Sequence, residues 1–304
     1  MILKHIIFII LIFTLFLFYI SYRLYNYGLN PYFSKGGIFS NKKNENVPYK
    51  DIWLSEYKYK KDIYINSDDN LKLHGYLVPN NNSHKWVIAV HGYMCNSYSV
   101  SNIAYRYFNM GYNMIIPDLR GHGKSEGSYI GMGWHDRLDI LGWIRYIIKK
   151  DQDAEIILHG VSMGTSTVMM VSGEDVPLNV KAIIEDCGYT SAKDQFSYKI
   201  KNMYKIPSFP VLNICSLISK LKANYFIEEA SSIKQIKKSK IPILFIHGDK
   251  DKFVPFYMHN ELYEACNSKK EKLIIENAGH AKCEKVNSQL YWERVEKFII
   301  ENTR

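Results

Sequence analysis

The chain has 304 residues, 47% hydrophobic and 23% charged, a balance that excludes a disordered or low-complexity protein. Its five cysteines (Cys95, Cys187, Cys215, Cys266, Cys283) are scattered, with no CxxC pair and no Cys/His cluster at zinc spacing, so neither a disulfide framework nor a metal site is signalled. The net charge of +9 is concentrated in residues 21–61 and 188–240, which hold eight and ten basic residues against three acidic ones each; neither segment has the make-up of a nucleic-acid reader, and no nucleic-acid partner is expected.

In chain order, the first feature is the run Ile6–Ile20, IIFIILIFTLFLFYI, with Thr14 and the amphipathic Tyr19 as its only departures from apolar. Ser21 and Tyr22 extend it to the lower limit of about 17 residues for a bilayer span. A cleaved signal peptide needs small residues at its cleavage site, and here the run is followed by SYRLYNYGLNPYF. An uncleaved transmembrane signal-anchor over residues 1–22 is therefore expected, with Tyr19, Tyr22, Tyr25 and Tyr27 suited to the interface. Lys4 and the terminal amine outweigh Arg23 across the run, which favours an extracytoplasmic catalytic domain. The five cysteines pull the other way. Residues 23–61 read as a polar tether, so a chain lacking residues 1–28 is expected to be soluble, with unchanged specific activity on water-soluble esters.

From residue 62 to 304 the pattern changes. DIYIN (62–66) and LKLHGYLVP (71–79) alternate as a half-exposed hairpin. KWVIAVHG (85–92), YNMIIPDLRG (112–121), AEIILHG (154–160), VKAIIEDCG (180–188), IPILFIHGD (241–249) and KLIIENAGH (272–280) are the continuous apolar runs of strands buried on both faces. Helical patterns lie between them, as in 136–149 with Leu138, Leu141, Ile144 and Ile148 on one side. A mostly parallel sheet with helices on both faces follows. Residues 188–240 lack a strand pattern, contain Pro207 and Pro210, and carry helical spacing in VLNICSLISKL. A structureless loop of that length is improbable, so an inserted helical cap is expected, with its ten lysines available to anionic substrate or headgroups.

The chemistry concentrates at strand ends. AEIILHG runs into Gly160-Val161-Ser162-Met163-Gly164 and then a helix-like TSTVMMVSG. This is G-x-S-x-G between strand and helix, where a Cβ at either glycine would collide with the neighbouring backbone. A serine is a weak nucleophile and needs a base, an orienting acid and donors for the oxyanion. His91-Gly92-Tyr93 ends an earlier strand and can aim the Tyr93 amide beside that of Met163. Two later strands end in Asp249-Lys250-Asp251 and Ala278-Gly279-His280; the order serine, acid, histidine is that of α/β-hydrolases.

On HGY (91–93), DLRGHGKSEG (118–127), GVSMG (160–164), DCGYTS (186–191), HGDKDKFVP (247–255) and AGHA (278–281), the chain from about residue 60 onward resembles α/β-hydrolases of the serine-aminopeptidase/monoacylglycerol-lipase-like group. It is similar in particular to membrane-anchored bacterial hydrolases loosely called cell-surface hydrolases. The resemblance implies an eight-stranded sheet with the cap after strand 6, Ser162 as nucleophile, Asp251 as acid and His280 as base, with no cofactor or metal. Asp249 and Asp186 stay open as alternative acids on position alone. His91 and His122 are expected to steady loops, His259 to be a partly exposed helix residue, and Cys95 and Cys187 to be buried, inert thiols. The expected activity is hydrolysis of a carboxylic ester of a small acyl substrate; an aminopeptidase or amidase is the second reading, and a non-catalytic binding protein on the same scaffold the third.

Overall fold

The computed structural model describes residues 1–33, 49–80 and 83–303. Its strands are β1 (Lys61–Asn66), β2 (Lys72–Val78), β3 (Lys85–Val90), β4 (Asn113–Pro117), β5 (Glu155–Val161), β6 (Val180–Asp186), β7 (Ile243–Gly248) and β8 (Lys270–Ile275). They form one sheet in the order β1-β2-β4-β3-β5-β6-β7-β8. β1 and β2 make the antiparallel hairpin and β2 is antiparallel to β4, whereas all remaining pairs are parallel.

Because strand side chains alternate, each buried strand feeds two cores. Trp86, Ile88 and Val90 of β3, with Ile156 and Leu158 of β5, face α4 (Asp136–Lys150) and α5 (Met163–Val171), where Trp143, Ile144 and Met169 close the layer. Val87, Ala89 and Ile157 point the other way, onto Tyr107 of α3 (Ser101–Asn109) and Tyr291, Trp292 and Phe298 of α11 (Ser288–Ile300). Parallel strands buried on both faces leave their carboxyl ends as the place where loops converge. α9 (Phe256–Ala265) follows β7, and the four-residue α10 (Cys283–Val286) precedes α11.

Between β6 and β7 the chain is helical: α6 (Ala192–Tyr204), α7 (Val211–Ala223), a 3-10 turn at Ile227–Glu229, and the short α8 (Ser232–Ile236). Only α6, α7 and the turn contribute to the cap. α8 returns to the sheet and packs on α5 and α9. The cap is thus shorter than 188–240, and Lys234, Lys237, Lys238 and Lys240 sit on or after α8 rather than over the site.

The amino-terminal region also departs from the expected division. α1 spans Ile2–Leu29 without a break, so residues 23–29 are helix and not tether. Its first four turns are exposed and, apart from Lys4, His5 and Thr14, apolar, and it is long and apolar enough to cross a membrane. Its last turns bury Ser21, Tyr25 and Leu29 against α7. The spacing of four residues puts those three on one face. Further along the expected tether, α2 (Tyr49–Glu56) packs on α3 through Trp53 and Leu54, both buried. The part of the tether at 34–48 lies outside the described residues.

Candidate active site

Ser162 occupies the turn between β5 and α5 at φ 57°, ψ −117°, a conformation that costs a non-glycine residue about 1–3 kcal/mol. Its neighbours explain how the turn closes. A Cβ on Gly160 would lie 2.4 Å from the Thr165 nitrogen, and one on Gly164 2.2 Å from the Val90 carbonyl oxygen. The Ser162 amide donates to the Asp186 carbonyl at 2.8 Å, while the Thr165 hydroxyl reaches the carbonyls of Gly160 and Asp186. Backbone packing holds the serine side chain at the carboxyl edge of the sheet.

Loops from two other strands meet it there. His280, after β8, places Nε2 2.8 Å from Ser162 Oγ and Nδ1 2.7 Å from Asp251 Oδ2. Asp251, after β7, is buried, yet its Oδ1 accepts the amides of Phe253 and Val254 at 2.8 and 2.9 Å. Burial pushes this carboxyl up, but the hydrogen bond and charge of His280, the nearby His247 and the Phe253 amide outweigh it and hold it below the ordinary range. An ionised Asp251 can only accept. His280 therefore carries its proton on Nδ1, and its Nε2 lone pair faces the Ser162 hydroxyl. The Phe253 ring lies 4.7 Å from the imidazole and covers one face.

The two expected oxyanion donors, the Met163 and Tyr93 amides, belong to segments next to Ser162. Met163 opens α5, where the first N–H groups have no intrahelical acceptor. The loop after β3 runs against the serine: a Cβ on Gly92 would stand 3.4 Å from Ser162 Cβ, and Tyr93 follows. Two histidines fix that loop. His91 Nε2 accepts the Leu119 amide, so its Nδ1–H donates to the Gly92 carbonyl, and burial pushes its pKa down, which keeps it neutral. His122 Nε2 accepts the Met94 amide and Nδ1 bonds the Arg120 carbonyl.

Two cavities meet at Ser162, and Tyr93 and Phe253 border both. One, of about 190 Å³, is walled by apolar side chains including Met132, Phe196, Leu212 and Ile227. Among its lining residues there is no carboxylate, and Lys199 is the single charge. The Lys199 ammonium lies 3.5 Å from the Phe253 ring centroid, and burial lowers its pKa. The other cavity, of about 270 Å³, is lined by Cys95, Asn102, His280 and Glu284 among others. Glu284 is engaged by Lys50 at 2.8 Å, Asn102 at 3.1 Å and Ser288 at 2.8 Å.

The remaining candidates fall away from the serine. Asp249 accepts the Asn277 amide at 2.6 Å and shapes the turn. Asp186 is buried and accepts from Tyr291, and burial raises it to about 6. His259 is not partly exposed, as expected, but fully buried beside His247 and Phe256, because α9 lies flat on Phe245. Cys95 is exposed rather than buried, contrary to expectation. Cys187 Sγ lies within 4.8 Å of ligand atoms of Asp251 and His280, but burial pushes its thiol well up and the other two are bonded to each other, a poor set for an ion. The lining of the first cavity also includes Leu24, Tyr25, Tyr27 and Gly28 of α1, which stand in the segment expected to be a tether. The four-residue spacing of Ser21, Tyr25 and Leu29 was the sign available.

Residues 81–214 match the family described as serine aminopeptidase, S33, and residues 160–282 match that described as serine hydrolase (FSH1). YqkD of Bacillus subtilis is 28% identical over 84% of this chain and 85% of its own. Protein bem46 of Schizosaccharomyces pombe is 27% identical over 87% of this chain and 83% of its own. Among solved structures, the Pyrococcus furiosus esterase Pf2001 superposes with a TM-score of 0.67 at 24% identity, over 84% of this chain and 96% of that one, a likeness of fold.

Proposed function

Starting from the premise that this chain belongs to the α/β-hydrolase superfamily and is a serine hydrolase, we propose that it cleaves carboxylic esters through an acyl-enzyme on Ser162. His280 Nε2 takes the hydroxyl proton as Ser162 Oγ attacks the acyl carbonyl, and Asp251 holds the imidazole tautomer and stabilises the imidazolium. The Tyr93 and Met163 amides receive the oxyanion. The same His280 then protonates the departing alcohol, and a water activated by it releases the acid.

The observation that carries the ester reading is the apolar cavity at Ser162 with no acidic residue in its lining. An aminopeptidase must hold the substrate's α-ammonium, and an unpaired buried ammonium is costly. The second cavity's Glu284 is already committed to Lys50, Asn102 and Ser288, and Asp186 to Tyr291. Esters need no such group. The name of Pf2001 agrees, whereas the description of the first matching family favours a peptidase. A panel of p-nitrophenyl esters and aminoacyl p-nitroanilides separates them: ester turnover at least about a hundredfold faster is expected, and faster anilide turnover overturns the reading.

The exposed apolar turns of α1 would hold the domain at a membrane as an uncleaved anchor, with the catalytic domain on the extracytoplasmic side by the charge rule. Protease added outside intact cells should then remove the domain from its helix; protection would reverse the orientation.

A further inference from the structure

The helix that would sit in the membrane does not stop at the domain surface. Leu24, Tyr27 and Gly28 of α1 line the apolar cavity together with Ser162 and Met163. The helix is pinned there from several sides: Cys215 Sγ donates to the Ser21 carbonyl at 3.2 Å, Lys222 Nζ to the Tyr22 hydroxyl at 3.3 Å, and the Ile130 amide to the Leu29 carbonyl at 2.8 Å. The last carbonyls of a helix have no intrahelical partner. The Tyr93 hydroxyl takes up one of them, donating to Gly28 at 2.7 Å with the Tyr27 carbonyl 3.3 Å away. Tyr93 also follows Gly92, which packs against Ser162, and borders both cavities at the nucleophile.

We propose that the last two turns of α1 are a specificity-determining wall of the acyl site, that Leu24 and Gly28 limit the acyl chain it accepts, and that the enzyme takes single-chain acyl esters whose tails reach the cavity along this helix. The inference rests on the ester-hydrolase reading and names its substrate class. Along one face of α1, Leu17, Ile20, Leu24 and Gly28 lead from the exposed apolar turns to the cavity wall and give one long tail an apolar surface. A second tail would meet the other cavity, whose lining includes Asn102, Asp186 and Glu284. Tyr93 acts as a positioning residue, since it ties the loop beside Ser162 to the helix backbone.

The test uses the full chain in detergent micelles and p-nitrophenyl esters from acetate to dodecanoate. A Cβ on Gly28 would rest 3.4 Å from the Phe196 ring, an ordinary contact, at a helical position that accepts any side chain. In Gly28→Leu the longer side chain enters the cavity, and the dodecanoate-to-acetate ratio of kcat/KM should fall at least about tenfold, since single methylenes in such pockets discriminate by that order. Leu24→Ala enlarges the cavity and should move the same ratio the other way. Tyr93→Phe should lower kcat for every chain length with KM held, because it loosens the loop and leaves the wall in place. Chain-length profiles of Gly28→Leu and Leu24→Ala that coincide with the wild type overturn the inference while leaving the ester reading intact. A wild type that turns over no ester overturns that reading, and the inference with it.

Discussion

Ser162, Asp251 and His280 come from three different loops, yet each connects to the next by a hydrogen bond of 2.7–2.8 Å. Groups that act as one unit lose activity non-additively. Ser162→Ala and His280→Ala should each lower kcat by at least about 10³-fold, with the double variant close to either single one in an ester assay. Asp251→Asn should cost far more than Asp249→Asn, because Asp249 accepts the Asn277 amide and pairs with Lys250 rather than with His280; the opposite ranking would reassign the acid. A second residue-scale expectation concerns stability. Asp136 is fully buried, and burial raises it to about 6 despite the neighbouring Arg120. Its folded value lies above the unfolded one, so its stabilising contribution is complete below about pH 4 and is lost as pH rises through 6, a change of about 3 kcal/mol. Urea unfolding in detergent at pH 4.5 and 7.5 should therefore show a smaller pH effect in Asp136→Asn than in the wild type. An equal effect would show that Asp136 is not held protonated.

At the scale of elements, what the sequence revealed and what it hid have a common physical cause. Strands buried on both faces are unbroken apolar runs, so β3, β5, β6 and β7 were legible, and with them the loops where Tyr93, Ser162 and Asp251 stand. Gly160 and Gly164 were legible because backbone crowding leaves no alternative. The end of α1 was not. Its partners lie far along the chain, from Tyr93 and Ile130 to Phe196 of α6 and to α7 nearly two hundred positions later, and no local pattern announces them. α8 has five residues, too few for a periodicity to show which layer it joins. His259 was misjudged for the same reason: the face α9 presents to Phe245 depends on where the helix lands. The helix wall adds a chain-length condition to the expectation for truncation, which covers water-soluble esters alone. Deleting residues 1–28 removes Leu24, Tyr27 and the Gly28 carbonyl that Tyr93 holds, so kcat/KM for a long-chain ester should fall at least about tenfold relative to the full chain. Undiminished long-chain activity would restore the picture of a dispensable tether.

For the molecule as a whole, the basic excess is divided between surfaces with different neighbours. Lys222 meets Tyr22 of α1, whereas Lys234, Lys237 and Lys238 stand with α8 on the flank of the sheet. Charge screening over about 8–10 Å at physiological salt leaves the α8 group little influence on the cavity. α1, the cap and the sheet edge instead converge on one serine, whose activation as a nucleophile every step of the proposed hydrolysis requires. The most direct measurement is labelling of the full chain with a fluorophosphonate, followed by mass spectrometry of its peptides. Stoichiometric phosphonylation of Ser162, lost in Ser162→Ala, is the predicted result. A wild-type chain left unlabelled while esterase controls react, or a Ser162→Ala chain labelled as fully as the wild type, would contradict it.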